Sequence, residues 1–379
     1  MSRIPRSAWA IAALATPLHL ALALSTDLSP DEAYYLAAAR LGRPIVDHPP
    51  LLIWLLGLSD RWSWAPVELR VRVWPIALSL GTSLAWIALA RARGAGPRGC
   101  VMAAWIGAWA LLPTAGGFVA TPDGPLLLAV TLALLLLPRH AAGAALMLSL
   151  GALAKVTALP VAALLALSRE PRRPARLALA LAPLLALPWL AASLDFQMHH
   201  AFAQRGPAGW SVLRAAGALA ATLGAQLALW SPLVVWYGAR ALRELPRGDR
   251  ALALGLGALL VVSAIVRSVP PEPSWWAPVA IVVVVAFARA ADALSPRRRF
   301  VALASILLPT LVAAAHVARP FLPLAEAADP TARLHGWSQG RGPVGAPGVG
   351  SYGAAAESCV YKQDCSEIMN HFIKMDVHE

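Results

Sequence analysis

The sequence predicts an all-α integral membrane protein: a bundle of about eleven transmembrane helices with a large first outer loop. Three observations carry this. Of 379 residues, 58% are hydrophobic and only 14% charged, with a mean hydropathy of +0.61. A soluble domain is nearer a quarter charged. The apolar residues fall in long runs separated by short polar, Gly- and Pro-containing stretches. The formal charge of +12 comes mainly from arginines clustered between those runs. That is the pattern of cytoplasmic loops under the positive-inside bias, and no long basic tract argues for nucleic acid.

Residues 1–24 hold Arg3, Arg6 and an apolar run. A-L-A-L-S resembles a signal-peptide cleavage site, but the many later runs favour a retained first helix. The first outer loop, 25–70, contains SPDEAYYLAAARLGRPIVDHPPLL at 29–52. It sets Asp31 beside Glu32, and Asp47 beside His48 before two prolines. Polar groups this dense next to a membrane span are costly unless they face water, each other or a ligand.

Further runs occur at 71–90, 100–112, 126–137, 141–168, 177–192, 219–237, 251–266, 277–287 and 301–317. RARGAGPR, PRH, REPRRPAR, ARALRELPRGDR and ADALSPRRR separate some of them. PTAGGFVATPDGP, DFQMHHAFAQRGPAGW and RSVPPEPSWW separate others. If 141–168 crosses once, the arginine clusters after it fall on the wrong side. If it is a hairpin turning at Lys155 and Pro160, every arginine-rich loop lies inside, and the loops with acids, histidines and tryptophans lie outside. Each arm then has about 13 residues, or roughly 20 Å, against a hydrocarbon core of about 30 Å. The turn is therefore recessed. This topology places the transmembrane domain at 1–320, with the N-terminus inside and a short outer tail at 321–379. The Gly/Pro stretch 340–350 is a linker, and the segment after it is too short for a core of its own.

Cys100 opens an apolar run as a small packing residue. Cys359 and Cys365 can pair if the tail lies outside the cytoplasm. His371 and His378 are near them without a zinc-site spacing.

On the hairpin topology the outer side gathers Asp31, Glu32, Asp47, His48, Asp123, Lys155, His199, His200, Arg205 and Glu272. Acids and a histidine can deprotonate a hydroxyl or hold a divalent cation. Lysine and arginine can bind phosphate. The set suits displacement of a phosphate leaving group by a hydroxyl. Each residue also has a plainer reading. Asp31 and Glu32 after Ser-Pro suit a helix N-terminus. His48 suits a turn, and Asp123 in T-P-D-G-P an Asx turn. Lys155 can snorkel, although it is the one lysine before residue 362 and has no acid within ten residues. His199, His200 and Arg205 suit a solvated loop, and Trp275-Trp276 an interfacial aromatic belt.

The ordered set PDEAYY, DHPPL, TPDGPLL, GALAKVTAL, EPSWWAP and DPTARLHGW resembles the bacterial polytopic glycosyltransferases of the GT-C superfamily. It is most similar to the branch of protein mannosyltransferase-like and lipid A aminoarabinose transferase-like enzymes. The resemblance covers about residues 20–340. It implies a many-helix bundle with a large first periplasmic loop and a sugar donor on a polyprenyl phosphate. It also implies inverting single displacement on the periplasmic side of the inner membrane, onto a lipid, glycan or protein acceptor. On that resemblance Asp31 is the loop acid acting as base or metal ligand, Glu32 its partner and Asp123 the second acid. A divalent metal would sit on Asp31 and Asp123. Lys155 is the lysine of the recessed hairpin. Apart from the resemblance, the residue types and the topology make Asp47, His48, Lys155, His199, His200, Arg205 and Glu272 the expected substrate contacts. His48 departs from the aminoarabinose branch, which has lysine before Pro-Pro.

Two other classes fit the sequence less well. A transporter or lipid flippase holds its charges near the midplane on broken helices, often with repeat symmetry; here the charges crowd the outer loops and no repeat is visible. An intramembrane acyltransferase would want a histidine served from the cytoplasm, which outward His48 and His199 do not offer.

Overall fold

The computed structural model describes residues 3–168, 173–199, 210–326, 329–343 and 351–370. Its elements are α-helices and short 3-10 turns. Helix α1 (Arg6–Ser25) leads to the short α2 (Pro30–Leu41) and α3 (Leu51–Ser59), then to α4 (Val67–Ala92) and α5 (Pro97–Trp109). A short α6 (Leu111–Gly116) precedes α7 (Asp123–Leu136), α8 (Ala141–Ala154) and α9 (Ala158–Leu167). Next come α10 (Arg173–Leu181) and α11 (Leu187–His199), then α12 (Val212–Trp230) and α13 (Pro232–Ala241). The bundle ends with α14 (Arg247–Arg267), α15 (Ala277–Ala291) and α16 (Pro296–Ala318); α17 (Ser351–Lys362) lies in the tail. Among the described residues seven helical segments are long and apolar enough to cross a membrane. Helices α7, α8 and α9 are apolar but shorter. The protein is thus a multi-pass, all-α membrane protein.

Alanine-rich faces let the helices approach closely, as membrane packing without a hydrophobic drive requires. Ala8 and Ala12 of α1 pack on Ile87 and Ala90 of α4 and on Ala103 and Ala104 of α5. The first helix is built into the bundle. A Cβ at Gly99 would overlap the carbonyl oxygen of Ala288, and one at Gly238 that of Val283. Both glycines are needed for the approach of α15.

The sorting of loops by arginine has a physical counterpart. Arg93 binds Asp249 at 2.6 and 3.0 Å and the carbonyl of Leu134 at 2.9 Å. Asp292 accepts from the backbone N–H of Gly96 and Gly99, and Arg289 donates to the carbonyl of Arg93. The loops around 93, 136, 248 and 290 therefore meet at one end of the bundle. The segment 141–168 breaks at Lys155, whose extended backbone (φ −156°, ψ 138°) ends α8. Helix α9 then packs along α14, with Leu164 beside Gly255. Gln197, at the far end of α11, reaches the carbonyls of Val46 and Asp47 between α2 and α3.

Two boundaries differ from expectation. The run 219–237 is part of a longer pair, α12 and α13, broken at Ser231, where φ is +70°. The cause is Pro232, which disfavours helix at the residue before it. Part of the loop after α5 is helical, as α6. The tail does not stand apart, since Ala355, Ala356, Cys359, Val360 and Ile368 share a buried cluster with Leu28, Ala33, Leu36 and Ala37. Cys359 and Cys365 form a disulfide.

Candidate active site

The N-terminus of α2 is set by its own sequence. Ser29 caps it, accepting from the N–H of Glu32 at 3.3 Å, while Glu32 Oε2 accepts from the N–H of Ser29 at 2.8 Å. This is a reciprocal capping box with proline at the first helical position. Two adjacent carboxylates thereby receive opposite fates.

Glu32 is fully buried. It holds Arg72 in a fork, Nε to Oε1 at 3.0 Å and the terminal nitrogen to Oε2 at 2.9 Å. It also accepts from the N–H of Ala120 at 2.9 Å. The other donors of Arg72 satisfy the carbonyls of Ala23, Thr26 and Asp27 at the end of α1. Those carbonyls would otherwise lack partners. Glu32 is thus the internal counter-ion of a buried arginine and does not line the cavity. The expectation that it acts on substrate is corrected: its acceptor capacity is taken by Arg72, Ser29 and Ala120.

Asp31, one residue earlier, faces a cavity of about 1750 Å³. Asp47, His48, Asp123, Lys155 and Glu272 line the same cavity. The sequence separates these six residues into five stretches, and the fold brings them together. His199 lies at the end of α11 with its side chain outside the described residues, and His200 and Arg205 fall outside the described residues altogether.

Lys155 is not alone. Its Nζ lies 2.8 and 3.0 Å from the two oxygens of Asp123 and 3.4 Å from Ser274 Oγ. The expectation of an uncompensated ammonium is corrected: its partner comes from the start of α7, in T-P-D-G-P. Lys155 sits where the helix breaks, so its side chain can leave the bundle for the cavity. Glu272 accepts from Trp275 Nε1 at 3.0 Å.

Asp47 accepts from the hydroxyl of Tyr34 at 3.4 Å, and His48 presents its ring to Tyr35 in edge geometry at 5.8 Å. Burial pushes the Asp47 carboxyl above its usual range, against the lowering pull of His48. Burial holds the His48 imidazole below its usual range, against Asp47, while Lys155 pushes it further down. A neutral imidazole beside a carboxyl of raised basicity is an arrangement that can take a proton from a hydroxyl.

The cavity residues that were not anticipated include Asp195, Arg267, Arg333 and, in a contact role, Trp275. Arg333 lies 3.4 Å from Asp31 Oδ2. Its segment is anchored by Asp329, which accepts from Thr331 and meets His316 Nε2 at 3.1 Å. His316 Nδ1 accepts from the N–H of Phe321 and of Leu322, so the proton lies on Nε2 and points at Asp329. The available signal was that Arg267 ends an apolar run, and Arg333 follows the last one, on the side where the expected topology and the charge bias disfavour arginine.

A divalent cation does not suit this arrangement. Among the described residues no three of His, Cys, Asp or Glu come together to hold one. Asp31 faces Arg333 and Asp123 faces Lys155, so a cation at either acid would displace a positive charge already there.

Away from its polar mouth the cavity is lined by Trp86, Leu111, Leu112, Leu127 and Ala313. It therefore runs from charged groups at one end into apolar bundle.

No family model matches the chain, and no curated protein does. Two solved structures share its fold, both of ArnT from Cupriavidus metallidurans. The apo form superposes with a TM-score of 0.57 at 16% identity, covering 80% of this chain and 64% of that one. The form bound to undecaprenyl phosphate gives 0.57 at 17% identity, covering 83% and 65%. The chain thus spans slightly less than two thirds of these relatives. The chain therefore has the fold of ArnT, in line with the ordered motifs.

Proposed function

We propose that the protein is a membrane glycosyltransferase that moves a sugar from a polyprenyl-phosphate donor to a hydroxyl acceptor on the outer, periplasmic face of the inner membrane. One observation carries this reading: a single cavity joins a cluster of acids and cations to an apolar interior. That shape suits a ligand with an anionic head and a hydrocarbon tail. ArnT of the same fold has been crystallised with undecaprenyl phosphate, which supports the donor class. The disulfide of the tail supports an oxidising compartment on that side. An eleven-pass path with the N-terminus inside accounts for the arginine-rich loops at the opposite end.

The chemistry follows from the groups present. The acceptor oxygen attacks the anomeric carbon as the bond from that carbon to the phosphate oxygen breaks. The acceptor proton passes to a carboxylate; Asp31 is the base in this reading, and Asp47 with His48 is the nearest alternative. The bonding electrons leave with the lipid phosphate. An ammonium has three donors, and Asp123 occupies two of those on Lys155. The third makes only a long contact to Ser274, at 3.4 Å. It can turn from there to the phosphate, where it gains strength as negative charge develops. Arg267 and Arg333 are the other cations of the cavity. Attack opposite the leaving group inverts the sugar.

The test is to incubate purified protein with radiolabelled polyprenyl-phosphate sugars and a cell-envelope extract as acceptor. Release of lipid phosphate with transfer of label is expected. Movement of intact donor across vesicles, without release, would replace the enzyme reading by a flippase.

A further inference from the structure

Asp31 stands at the start of a helix that is otherwise sealed. Of residues 28–38 it alone is not buried. Its place in the cavity is therefore set by where α2 lies as a body. The three residues before it are each held. Ser29 is held by its capping box with Glu32. Leu28 and Pro30 are held by α17, from near the other end of the sequence.

Leu28 donates its N–H to the hydroxyl of Tyr361 at 2.9 Å, and that hydroxyl donates to Glu68 of α4 at 2.9 Å. Pro30 meets Gly353. A Cβ at Gly353 would lie 2.7 Å from the Cβ of Pro30, on a ring that cannot turn away. Only glycine permits this approach without a shift of one helix against the other.

Gly353, Glu357 and Tyr361 are spaced by four residues in α17, so they share one face of the helix. Glu357, between the two contacts, is 3% exposed, and neither of its carboxyl oxygens has a hydrogen-bond partner among the described residues. Burial, with Glu32 and Asp27 nearby, raises its carboxyl well above the usual range, so it packs here as a neutral side chain. The disulfide Cys359–Cys365 ties the end of α17 to the segment carrying Ile368, which is fully buried in one cluster with Leu28, Leu36 and Ala37. Gly353, Glu357 and Tyr361 do not line the cavity that Asp31 faces. Lys155, Asp123 and Ser274, which meet one another in that cavity, stand on other elements.

We propose that Gly353 and Tyr361 are positioning residues for Asp31: they clamp Pro30 and Leu28 and so set where its carboxylate stands against the acceptor hydroxyl. This rests on the proposed transferase activity, in which Asp31 is the base. A base acts only as the proton moves, so a displaced α2 costs turnover and leaves donor affinity alone. Misplacing a reacting group by about 1 Å can cost about a hundredfold.

The test is steady-state kinetics of the full chain with a radiolabelled polyprenyl-phosphate sugar and a cell-envelope extract as acceptor. Turnover is counted per folded molecule by fluorescence-detected size exclusion. Tyr361→Phe removes one hydroxyl, and Gly353→Ala adds one methyl. Each should lower kcat by roughly ten- to a hundredfold, with donor KM within about twofold of wild type. Gly238→Ala is the control for lost stability: its Cβ would meet the carbonyl oxygen of Val283 at 2.5 Å, at a contact that does not line the cavity. It should lower the thermal midpoint and leave kcat unchanged. If Gly353→Ala does not fold, Tyr361→Phe decides alone. Wild-type transfer with kcat kept in the α17 variants would overturn this inference alone. So would a fall in kcat that Gly238→Ala matches, or a rise in donor KM without a fall in kcat. Wild-type protein that transfers nothing would overturn the transferase reading, and this inference with it.

Discussion

Replacing Glu32 by glutamine tests how the two adjacent acids divide their work. The carboxylate accepts four hydrogen bonds: two from Arg72 at 3.0 and 2.9 Å, one from Ser29 N–H at 2.8 Å and one from Ala120 N–H at 2.9 Å. A glutamine oxygen can keep two of them. Its amide group would face the remaining donors with donors of its own. Arg72, fully buried, would keep its charge and lose its counter-ion. Removing one partner of a buried pair costs about 3–5 kcal/mol. That is a large share of a total stability of about 5–15 kcal/mol. Glu32→Gln should therefore lower the thermal midpoint strongly, as read by fluorescence-detected size exclusion. Arg72→Met added to it should recover part of the loss, giving a coupling energy for the pair by double-mutant cycle. Turnover should fall with the folded fraction, and somewhat further because Ala120 anchors the loop that carries Asp123. A Glu32→Gln protein with an unchanged midpoint and abolished turnover would refute the reasoning and return Glu32 to the reacting groups.

Asp31→Asn, by contrast, should leave the stability within about 1 kcal/mol of wild type and abolish transfer while donor still binds; near wild-type turnover would move the base to Asp47 and His48. Lys155→Met should lose both stability and turnover because Asp123 is left without its cation, whereas Lys155→Met with Asp123→Asn should recover the fold and not the activity; activity in the double variant would remove Lys155 from phosphate binding. Burial, then the nearby Glu32 and Asp27, push the Glu357 carboxyl from 4.5 up to about 10. Between those values the folded protein keeps a proton that the unfolded chain has lost, so stability should decline as pH rises through that window. Glu357→Gln should flatten that decline, measured as thermal midpoint against pH. Reporter fusions after residues 97, 172, 247 and 297 should all report cytoplasm, and one after 205 the periplasm; a cytoplasmic 205 would remove the hairpin at Lys155.

Much of the arrangement was legible because membranes simplify the reading. Apolar runs mark spans, and arginine clusters mark one face; the ion pair of Arg93 with Asp249 and the bonds from Asp292 show those loops meeting. Asp31, Asp47, His48, Asp123, Lys155 and Glu272 stood out as polar groups at the ends of apolar runs, and all six line one cavity. Partners were not legible. Nothing within PDEAYY distinguishes Asp31 from Glu32, because the difference is made by Arg72, forty residues later. Lys155 looked solitary because its acid lies thirty-two residues earlier. Pairing across helices depends on which faces meet, and local pattern does not encode that. Arg333 had a signal in its expected outward position, but its place in a polar tail masked it.

The contact between α17 and α2 bears on the order in which the protein is made. Leu28 donates its N–H to the hydroxyl of Tyr361, which in turn donates to Glu68. The N-terminal parts of a chain fold first during synthesis, yet the helix that carries Asp31 packs one flank against α17. The spans between them must be made before that closure. A ribosome stalled before residue 351 would leave a threaded bundle with the apolar flank of α2 lacking α17. The site thus waits on translation through α17.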